Sequence, residues 1–313
     1  MKLSIVATLY RSAAHIGEFH RRVMAEAEAI STSVELILVN DGSPDDSLAV
    51  ALALQADDPR IVVLDLARNF GHHKAMMTGL MHAKGELVFL TDSDLEEPPE
   101  LLGRFHAELA AGDWDVVYGV QRNRRGGWFE RVSGAAFFSL VGLLSDEPLP
   151  RNVVTTRLMR RSYVRALVAH RDREMQIAHL WLLTGFRQKP LPIDKLSLSP
   201  TNYSVARRVQ MAVRHITTTS TRLLYLILYF GMAICTLSML AAGFFLARYS
   251  MHGVGVDGWT SIFVSVAFFG GTTVLILGII GIYIANILSE VKRRPYTHLR
   301  AIHRAPAREN GQA

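Results

Sequence analysis

Two long uncharged segments near the C-terminus limit the folds open to this chain of 313 residues. Between Arg222 and Arg248 lie 25 consecutive uncharged residues, and between Asp257 and Glu290 lie 32 more. A bilayer core about 30 Å thick is crossed by about 20 apolar residues in a helix. Two buried helices of a soluble core are the alternative, but such helices rarely exceed about 14 apolar residues without a polar face. We therefore expect two transmembrane helices, at 223–247 and 260–289.

Basic residues are concentrated on one side of these segments. Residues 204–222 carry four arginines and no acid, and residues 291–313 carry six bases against one acid, whereas residues 248–259 carry one of each. Because positively charged flanks stay in the cytoplasm, we expect a multi-pass protein of the inner (cytoplasmic) membrane. Both termini would be cytoplasmic, and 248–259 would form a short external loop.

The net charge of +6 belongs to the part of the chain near these segments. Residues 1–203 hold 23 bases and 25 acids, so they are nearly neutral. The excess of positive charge therefore indicates anionic membrane lipids as a partner, and no nucleic acid.

Short apolar runs alternate with helical patterns through the first 120 residues. Runs rich in valine, isoleucine and leucine predict buried strands of a mostly parallel sheet, at 3–9, 34–40, 61–66, 86–91 and 114–119. The segments between them have helical periodicity, at 13–31, 45–57, 73–84 and 99–111. This alternation predicts an α/β fold, an open, mostly parallel sheet with helices on both faces, in one cytoplasmic domain over 1–204.

The rest of the chain is less regular. We expect two or three helices and a further strand near 186–194 in the remainder of the domain. An amphipathic juxtamembrane helix is predicted at 205–222, and a basic cytoplasmic tail at 290–313. The second membrane segment contains FGGTTVLILGIIG at 269–281. Glycine-rich faces of this kind favour helix association, so a homo-oligomer is also expected.

Acidic residues follow two of the predicted strands. Asp41 comes after the second strand, and Asp92 and Asp94 come after the fourth. In open α/β sheets, ligands bind beyond the carboxyl ends of the strands, so these side chains are expected at one crevice. Mg²⁺ or Mn²⁺ suits such a site, because these ions take few carboxylates and complete their shell with waters and phosphates. The alternative is that both acidic stretches are turns with helix-capping aspartates.

A set of longer motifs adds a resemblance to a known family. These are VNDGSPDDS (39–47), LARNFGHHKAMMTGL (66–80), FLTDSDLEEPPELL (89–102), VVYGVQRNR (116–124), RLMRRSYV (157–164), TGFRQ (184–188) and GIYIANILSEVKRRP (281–295). With them the chain resembles the membrane-anchored polyprenyl-phosphate group of family 2 glycosyltransferases, the relatives of dolichol-phosphate mannose synthase. The resemblance implies a nucleotide-sugar-binding α/β fold (GT-A) followed by membrane helices.

The resemblance also assigns roles to the acidic strand ends. It implies that Asp41 and Arg68 bind the nucleotide of the donor. It implies that Asp92 and Asp94 belong to the metal motif around the donor diphosphate, with Asp94 also counted as catalytic. Relatives usually have a glutamine where this chain has Glu96, which would then be a third metal ligand with an additional negative charge.

Three basic residues are matched to phosphate contacts. Arg124 and Arg157 correspond to arginines that face phosphates in the family, and a guanidinium can donate two hydrogen bonds to phosphate oxygens at once. A structural or surface role is the alternative, more strongly for Arg124, which lies in a basic cluster. Lys195 is a candidate phosphate contact, with an ordinary surface lysine as an equal alternative.

The chain also departs from the family pattern. Thr155 replaces an aspartate that is often considered catalytic, and Leu196 replaces an arginine ahead of the membrane segments. His72 and His73 are adjacent and would lie on different sides of a helix, so we expect them to pack and not to share a metal.

The resemblance implies inverting transfer of a sugar from a UDP- or GDP-sugar to a polyprenyl (undecaprenyl) phosphate. That acceptor is largely ionised at neutral pH, since the second pKa of a phosphate monoester is about 6, so the attack needs no general base. Two alternatives stay open: a glycosyltransferase that uses another lipid-linked or glycan acceptor, and a non-catalytic membrane protein that binds a nucleotide sugar. No dinucleotide-binding glycine motif follows the first predicted strand, and the P-loop motif occurs nowhere in the sequence.

Overall fold

The computed structural model describes residues 1–122, 152–170, 172, 177–194, 222, 224–234, 236–237, 240, 258–292 and 294–305. The chain separates into two compact units. The first holds the N-terminal sheet together with the residues that follow position 293, and the second holds the long apolar helix.

The first unit is built on a mostly parallel sheet. Its described strands are β1 Lys2–Leu9, β2 Ser33–Asn40, β3 Ile61–Leu66, β4 Leu87–Asp92, β5 Val116–Gln121, β6 Val153–Arg160, β7 Gln188–Ile193 and β8 Leu299–His303. They lie in the order β7-β5-β6-β4-β1-β2-β3-β8. Strands β4, β1, β2 and β3 run parallel to their neighbours in this series. Strand β6 is antiparallel between β4 and β5, and β8 is antiparallel on the outer edge of β3.

Helices cover both faces of this sheet. They are α1 Ile16–Ile30, α2 Ser47–Asp57, α3 His72–His82, α4 Leu101–Ala111, α5 Arg161–Ala169 and α6 Ile177–Leu183. Successive residues of a strand point to opposite faces, and β4 shows the result. Leu87 and Phe89 pack in the core with α1 and α4, whereas Val88 and Leu90 pack in the core with α3, α5 and α6. The predicted α/β fold with a mostly parallel sheet is therefore confirmed.

The sequence did not predict two of the strands. β6 lies in a part of the domain that was expected to be mainly helical. β8 lies inside the predicted basic tail at 290–313, where residues 299–303 instead pair with β3. The sequence LRAIH, which mixes apolar and basic residues, forms an edge strand whose side chains are alternately partly buried and exposed.

The second unit contains a long apolar helix. Helix α8, Trp259–Val291, includes the predicted span at 260–289. Within its apolar segment Phe269–Val291, of 23 residues, the most apolar window of 18 residues has a mean hydropathy of 2.2. Only 6% of the most apolar window is buried in the protein, which suits a lipid-facing helix. Within the described ranges it is the one helix long and apolar enough to cross a membrane.

The other predicted membrane features are not confirmed. A shorter apolar helix, α7 Leu224–Ile234, lies within the predicted span 223–247, and most of the remainder of that span is outside the described residues. Residues 205–221 and 248–257 are also outside them. Among the described residues the structure therefore supports one spanning helix, and the second stays a prediction.

Candidate active site

Asp41 follows β2 and binds the backbone of a neighbouring loop. Its Oδ1 accepts a hydrogen bond from the N–H of Phe70 at 2.7 Å, and its Oδ2 accepts one from Gly71 at 3.0 Å. The residue is only 3% exposed. Burial raises the pKa of the Asp41 carboxyl, against the opposing effect of the two backbone hydrogen bonds. The residue that was predicted to contact the nucleotide thus holds residues 67–71, called the β3–α3 loop below, against the end of β2.

Gly42 allows this loop to come close. Its φ of +58° lies in the left-handed region that glycine adopts without strain. A Cβ at this position would be 2.4 Å from the backbone nitrogen of Asn69 and 2.5 Å from the carbonyl carbon of Arg68. Any other residue would therefore force the loop away from the end of β2.

A cleft of about 510 Å³ opens between this loop and the start of α2. Its lining includes Asn40, Gly42, Ser43, Asp45, Asp46, Arg68, Asn69 and Arg300. The Arg68 guanidinium lies 4.2 Å from the centre of the Phe70 ring and donates to the carbonyl oxygen of Asn69 at 3.1 Å. Arg68, which was predicted to bind the nucleotide, is therefore placed in a polar cleft beyond the strand ends.

Arg300 reaches the same cleft from β8. Its Nη1 donates to Oδ2 of the buried Asp65 at 3.3 Å, and its Nη2 donates to the carbonyl oxygen of Ala67 at 2.8 Å. Asp65 also accepts a hydrogen bond from Nδ2 of Asn40 at 2.8 Å, and Asn40 accepts one from the N–H of Ser43 at 3.2 Å. The sequence reasoning counted Arg300 only as part of a basic tail, because nothing local indicated a strand there.

Asp92, the last residue of β4, lies beside His72. Nε2 of His72 is 3.4 Å from Oδ1 of Asp92, and Nδ1 of the same ring is 3.2 Å from Oγ1 of Thr8. Thr8 is also the register partner of Asp92 across β1 and β4. The expectation that His72 only packs is therefore wrong, because the first residue of α3 contacts the end of the strand that carries Asp92.

Asp94 lies in a tight turn after β4. Its Oδ1 accepts a hydrogen bond from the N–H of Glu96 at 3.0 Å, and Leu95 between them has a φ of 61°. Ser93 fixes the turn to β1, because its Oγ donates to the carbonyl oxygen of Thr8 at 2.8 Å. Asp94 thus makes the turn-forming hydrogen bond expected if this acidic stretch is a turn. That bond uses Oδ1, and Oδ2 of the carboxylate is an atom that can coordinate a metal ion.

The acids after β4 do not act as one group. Glu97 is buried, and its Oε2 accepts hydrogen bonds from the N–H of Thr156 at 2.9 Å and from the hydroxyl of the same residue. It therefore joins the turn to β6. Where the structure is described, no group of three or more histidine, cysteine or acidic side chains is arranged to hold a metal ion, so Asp92, Asp94 and Glu96 do not form a closed three-ligand site.

The remaining residues can still fit a divalent ion of the expected type. Asp92 ends a buried strand at the carboxyl end of the sheet, where open α/β sheets generally bind ligands, and Asp94 follows it on a turn that is fixed to β1. Mg²⁺ and Mn²⁺ are commonly held by one or two carboxylates, with the rest of the shell from water and substrate phosphates. Two carboxylates without a third protein ligand agree with that pattern.

Arg157 lies inside the protein. Its side chain is 0% exposed, and its guanidinium lies over the ring of Trp181, 3.0 Å from the centroid. Its Nε donates to the carbonyl oxygen of Thr155 at 3.1 Å. Burial lowers the pKa of Arg157 to about 10. This geometry does not match the predicted contact with a phosphate, because the charged group has no exposed surface.

Three predicted positions lie outside the described residues. These are Arg124, Lys195 and Leu196. Thr155, which stands where relatives have an aspartate, is described and is half-buried on β6. The structure therefore places Arg68 and the missed Arg300 in the lining of one cleft, whose loop wall is held by Asp41. It places Asp92, Asp94 and the missed His72 around the end of β4.

Solved structures also align with the chain, two of them in complex with nucleotide ligands. A mannosyltransferase from Pyrobaculum calidifontis in complex with GDP-Man and Mn²⁺ aligns with 93% of this chain and 86% of its own, with a TM-score of 0.49 and 18% identity. A Staphylococcus aureus TarS structure in complex with UDP aligns with 69% of this chain and 64% of its own, with a TM-score of 0.44 and 21% identity. The sequence relatives below, and not these structures, support the family assignment.

Sequence comparisons cover most of the chain. A glycosyltransferase of Mycobacterium tuberculosis is 45% identical over 97% of this chain and 89% of its own length. An undecaprenyl-phosphate 4-deoxy-4-formamido-L-arabinose transferase of Sodalis glossinidius is 31% identical over 94% and 91%. A bactoprenol glucosyl transferase of Shigella flexneri is 28% identical over 97% and 99%. The profile of glycosyl transferase family 2 matches residues 4–168. The chain belongs to this family and, within it, to the group that includes polyprenyl-phosphate sugar transferases.

Proposed function

We propose that the protein transfers a sugar from a nucleotide-diphosphate sugar to a polyprenyl phosphate. The observation that carries the proposal is that two features lie at the carboxyl ends of the parallel strands. One is the polar cleft between the β3–α3 loop and α2, and the other is the carboxylate pair Asp92 and Asp94 at the end of β4. Two relatives matched over almost their full length have names that specify undecaprenyl-phosphate or bactoprenol transfer, which supports the choice of acceptor.

The donor would be a UDP- or GDP-sugar, and its nucleotide would lie in the cleft. Asp41 would act through the loop that it holds, since both of its oxygens already accept hydrogen bonds from that loop. Arg68 lines the cleft and carries a guanidinium suited to oxygen atoms of the ligand. The diphosphate would then extend along the strand ends toward Asp92.

Asp92 and Asp94 would hold Mg²⁺ or Mn²⁺. When bound, the ion would neutralise charge that develops on the departing diphosphate. His72 contacts the Asp92 carboxylate and would keep it oriented toward the ligand side. Glu96 would contribute negative charge near the ion; its own contact with the ion stays a prediction.

The acceptor would attack without a protein base. A phosphate monoester is largely ionised near neutral pH, because its second pKa is about 6. The contribution of the protein would then be positioning and stabilisation of the leaving group, with inversion at the anomeric carbon. This mechanism tolerates Thr155 in place of an aspartate. Arg124 and Lys195 are proposed as phosphate contacts, whereas Arg157 would have to leave its buried position to become one.

The long apolar helix α8 suits an acceptor that is dissolved in a membrane. We place the reaction on the cytoplasmic face of the inner membrane in a multi-pass arrangement, because the arginine-rich segments at 204–222 and 291–313 would remain on that side. Anionic lipids would bind these segments, and association of glycine-rich helices would give a homo-oligomer.

The test uses the full chain in detergent or nanodiscs. The protein is incubated with undecaprenyl phosphate, Mn²⁺ and a panel of radiolabelled UDP- and GDP-sugars. We expect label in an acid-labile lipid product and release of nucleoside diphosphate only when the lipid is present. If no sugar nucleotide in the panel gives either product, the proposal fails.

A non-catalytic role is the second candidate, favoured by two observations. The arginine expected to face a phosphate is fully buried over Trp181, and the neighbouring Thr155 replaces an acid. A protein that only binds a nucleotide sugar would show donor binding in calorimetry with no product in the same assay.

A further inference from the structure

The residues after α8 form β8, which pairs with β3 as the outermost strand on the side of the sheet where the cleft lies. The N–H of Ala67 donates to the carbonyl oxygen of His298 at 2.8 Å, and the ring of His298 lies 6.0 Å from that of Phe70. Tyr296 donates its hydroxyl to the carbonyl oxygen of His170 at 2.5 Å. This segment therefore touches the β3–α3 loop that Asp41 holds from the other side.

Arg300 is the residue by which this segment enters the cleft. Its side chain is 61% exposed, although its guanidinium is fixed by Asp65 and by the carbonyl oxygen of Ala67. A guanidinium has five N–H donors in a rigid, planar arrangement, and these two hydrogen bonds use only part of them. Arg300 is thus a pre-positioned cation with donors left for a ligand.

Its position along the sheet indicates which part of the donor it would meet. Strands β4 and β3 are separated by β1 and β2 in the sheet order, and three steps of about 4.8 Å put their ends about 14 Å apart. A donor whose diphosphate lies at Asp92 on β4 would therefore carry its nucleoside toward β3 and β8. The groups that Arg300 could reach there are the oxygen acceptors of the base and the ribose.

We propose that Arg300 binds the nucleoside of the sugar donor, so that a strand following the apolar helix completes the donor site. The proposal rests on the proposed function, because it assumes a nucleotide ligand in this cleft. A hydrogen bond from a charged group to a buried ligand oxygen contributes enough that its loss weakens binding by about tenfold to a hundredfold.

The experiment compares full-length variants by calorimetry with UDP, UMP, GDP and GMP. For the nucleotide that the wild type prefers, we expect Arg300→Ala to raise the Kd by about tenfold or more, and by the same factor for the diphosphate and the monophosphate. Arg300→Lys keeps the charge but loses the planar arrangement of donors, and we expect an intermediate Kd. It also provides the measurement if the alanine variant does not fold.

Two control variants separate binding from charge and from folding. Arg304→Ala removes a charge from the same segment outside the cleft lining and should leave the Kd unchanged. Tyr296→Phe removes the anchor to His170 and should lower the melting temperature while leaving the Kd unchanged. A Tyr296→Phe effect on the Kd as large as that of Arg300→Ala would make the role of Arg300 structural and overturn the proposal.

The outcomes also separate this proposal from the one it rests on. An unchanged Kd in Arg300→Ala, or a loss seen with the diphosphate but not with the monophosphate, overturns the assignment of Arg300 to the nucleoside. A wild type that binds no nucleotide overturns both proposals. A wild type that binds nucleotide through Arg300 but transfers no sugar to lipid supports this inference and overturns the proposed transfer reaction.

Discussion

Asp41 is a buried carboxylate whose hydrogen bonds give it a defined structural role. Its two oxygens accept the N–H groups of consecutive residues, Phe70 and Gly71. Charge-assisted hydrogen bonds of this kind are stronger than those between neutral groups, and they offset part of the desolvation that raises the pKa of Asp41. The carboxylate therefore fixes the loop that forms one wall of the cleft.

Asp94 allows a direct test of metal binding with a control nearby. Asp94→Asn keeps the acceptor oxygen that caps the N–H of Glu96, but it removes the negative charge that a divalent ion requires. We expect turnover to fall by about a hundredfold or more, with an unchanged melting temperature and a weaker dependence on Mn²⁺ concentration. Activity near that of the wild type would exclude Asp94 as a metal ligand.

The control for this variant is Glu96→Gln. It introduces the residue that relatives usually have at that position, and it removes a charge from the same turn. We expect turnover to stay within a few-fold of the wild type, since no closed three-ligand group includes Glu96 among the described residues.

His72 gives a second test at the residue scale. His72→Ala removes the ring that contacts both Asp92 and Thr8, so the Asp92 carboxylate loses an orienting partner. We expect kcat to fall by about tenfold and the Mn²⁺ concentration for half-maximal activity to rise. His73→Ala removes the adjacent ring and should change neither quantity. Equal effects of the two variants would show that His72 has no special relation to Asp92.

At the scale of the elements, close packing decides where the helices lie on the sheet. Gly79 of α3 faces β1 and β2, and a Cβ there would be 2.4 Å from Cγ1 of Val6 and 2.9 Å from Cγ2 of Val39. α3 also begins with His72, next to Asp92. A helix that is pushed away from the sheet would therefore also move the contact with the carboxylate.

Gly79→Ala tests this packing. We expect the free energy of unfolding to fall by about 1–3 kcal/mol, the usual cost of overpacking a core, as measured by denaturant titration. Gly17→Ala in α1 is the control, because a Cβ there meets nothing within 4 Å and alanine favours a helix over glycine. If Gly79→Ala is as stable as Gly17→Ala, α3 does not pack as closely as described.

The elements that could be predicted from sequence are those with local signals. Strands β1 to β5 are apolar runs between turns, and the four predicted helices overlap α1, α2, α3 and α4 in turn. β8 had no such signal, and β6 was not predicted although it begins with the β-branched residues VVTT. The antiparallel pairing of both strands depends on contacts with distant segments, which composition does not show. His72 and Arg300 were missed for the same reason: their roles come from neighbours distant in sequence.

At the scale of the whole molecule, the sheet is made from two distant parts of the chain. Residues 1–194 supply β1 to β7, and β8 follows the apolar helix α8. Asp41, Asp92 and Asp94 could be predicted because they follow strands that were recognisable. The buried position of Arg157 could not, because it depends on Trp181 in a helix that the sequence reasoning did not place.

Removal of residues 294–313 tests how much the sheet depends on β8. The truncated chain would expose the outer edge of β3, and an unpaired edge strand is a site of aggregation. We expect a lower melting temperature and a larger aggregated fraction in gel filtration than for a chain shortened only after residue 305. Equal behaviour of the two truncated chains would show that β8 is dispensable.

The placement of β8 also sets an order of events during synthesis. β3 emerges from the ribosome early, but its outer neighbour is made only after the helix that suits a bilayer has been translated. A nascent chain must therefore keep that edge uncovered for most of its production, and a product cut short by a late stop codon would never acquire its final strand.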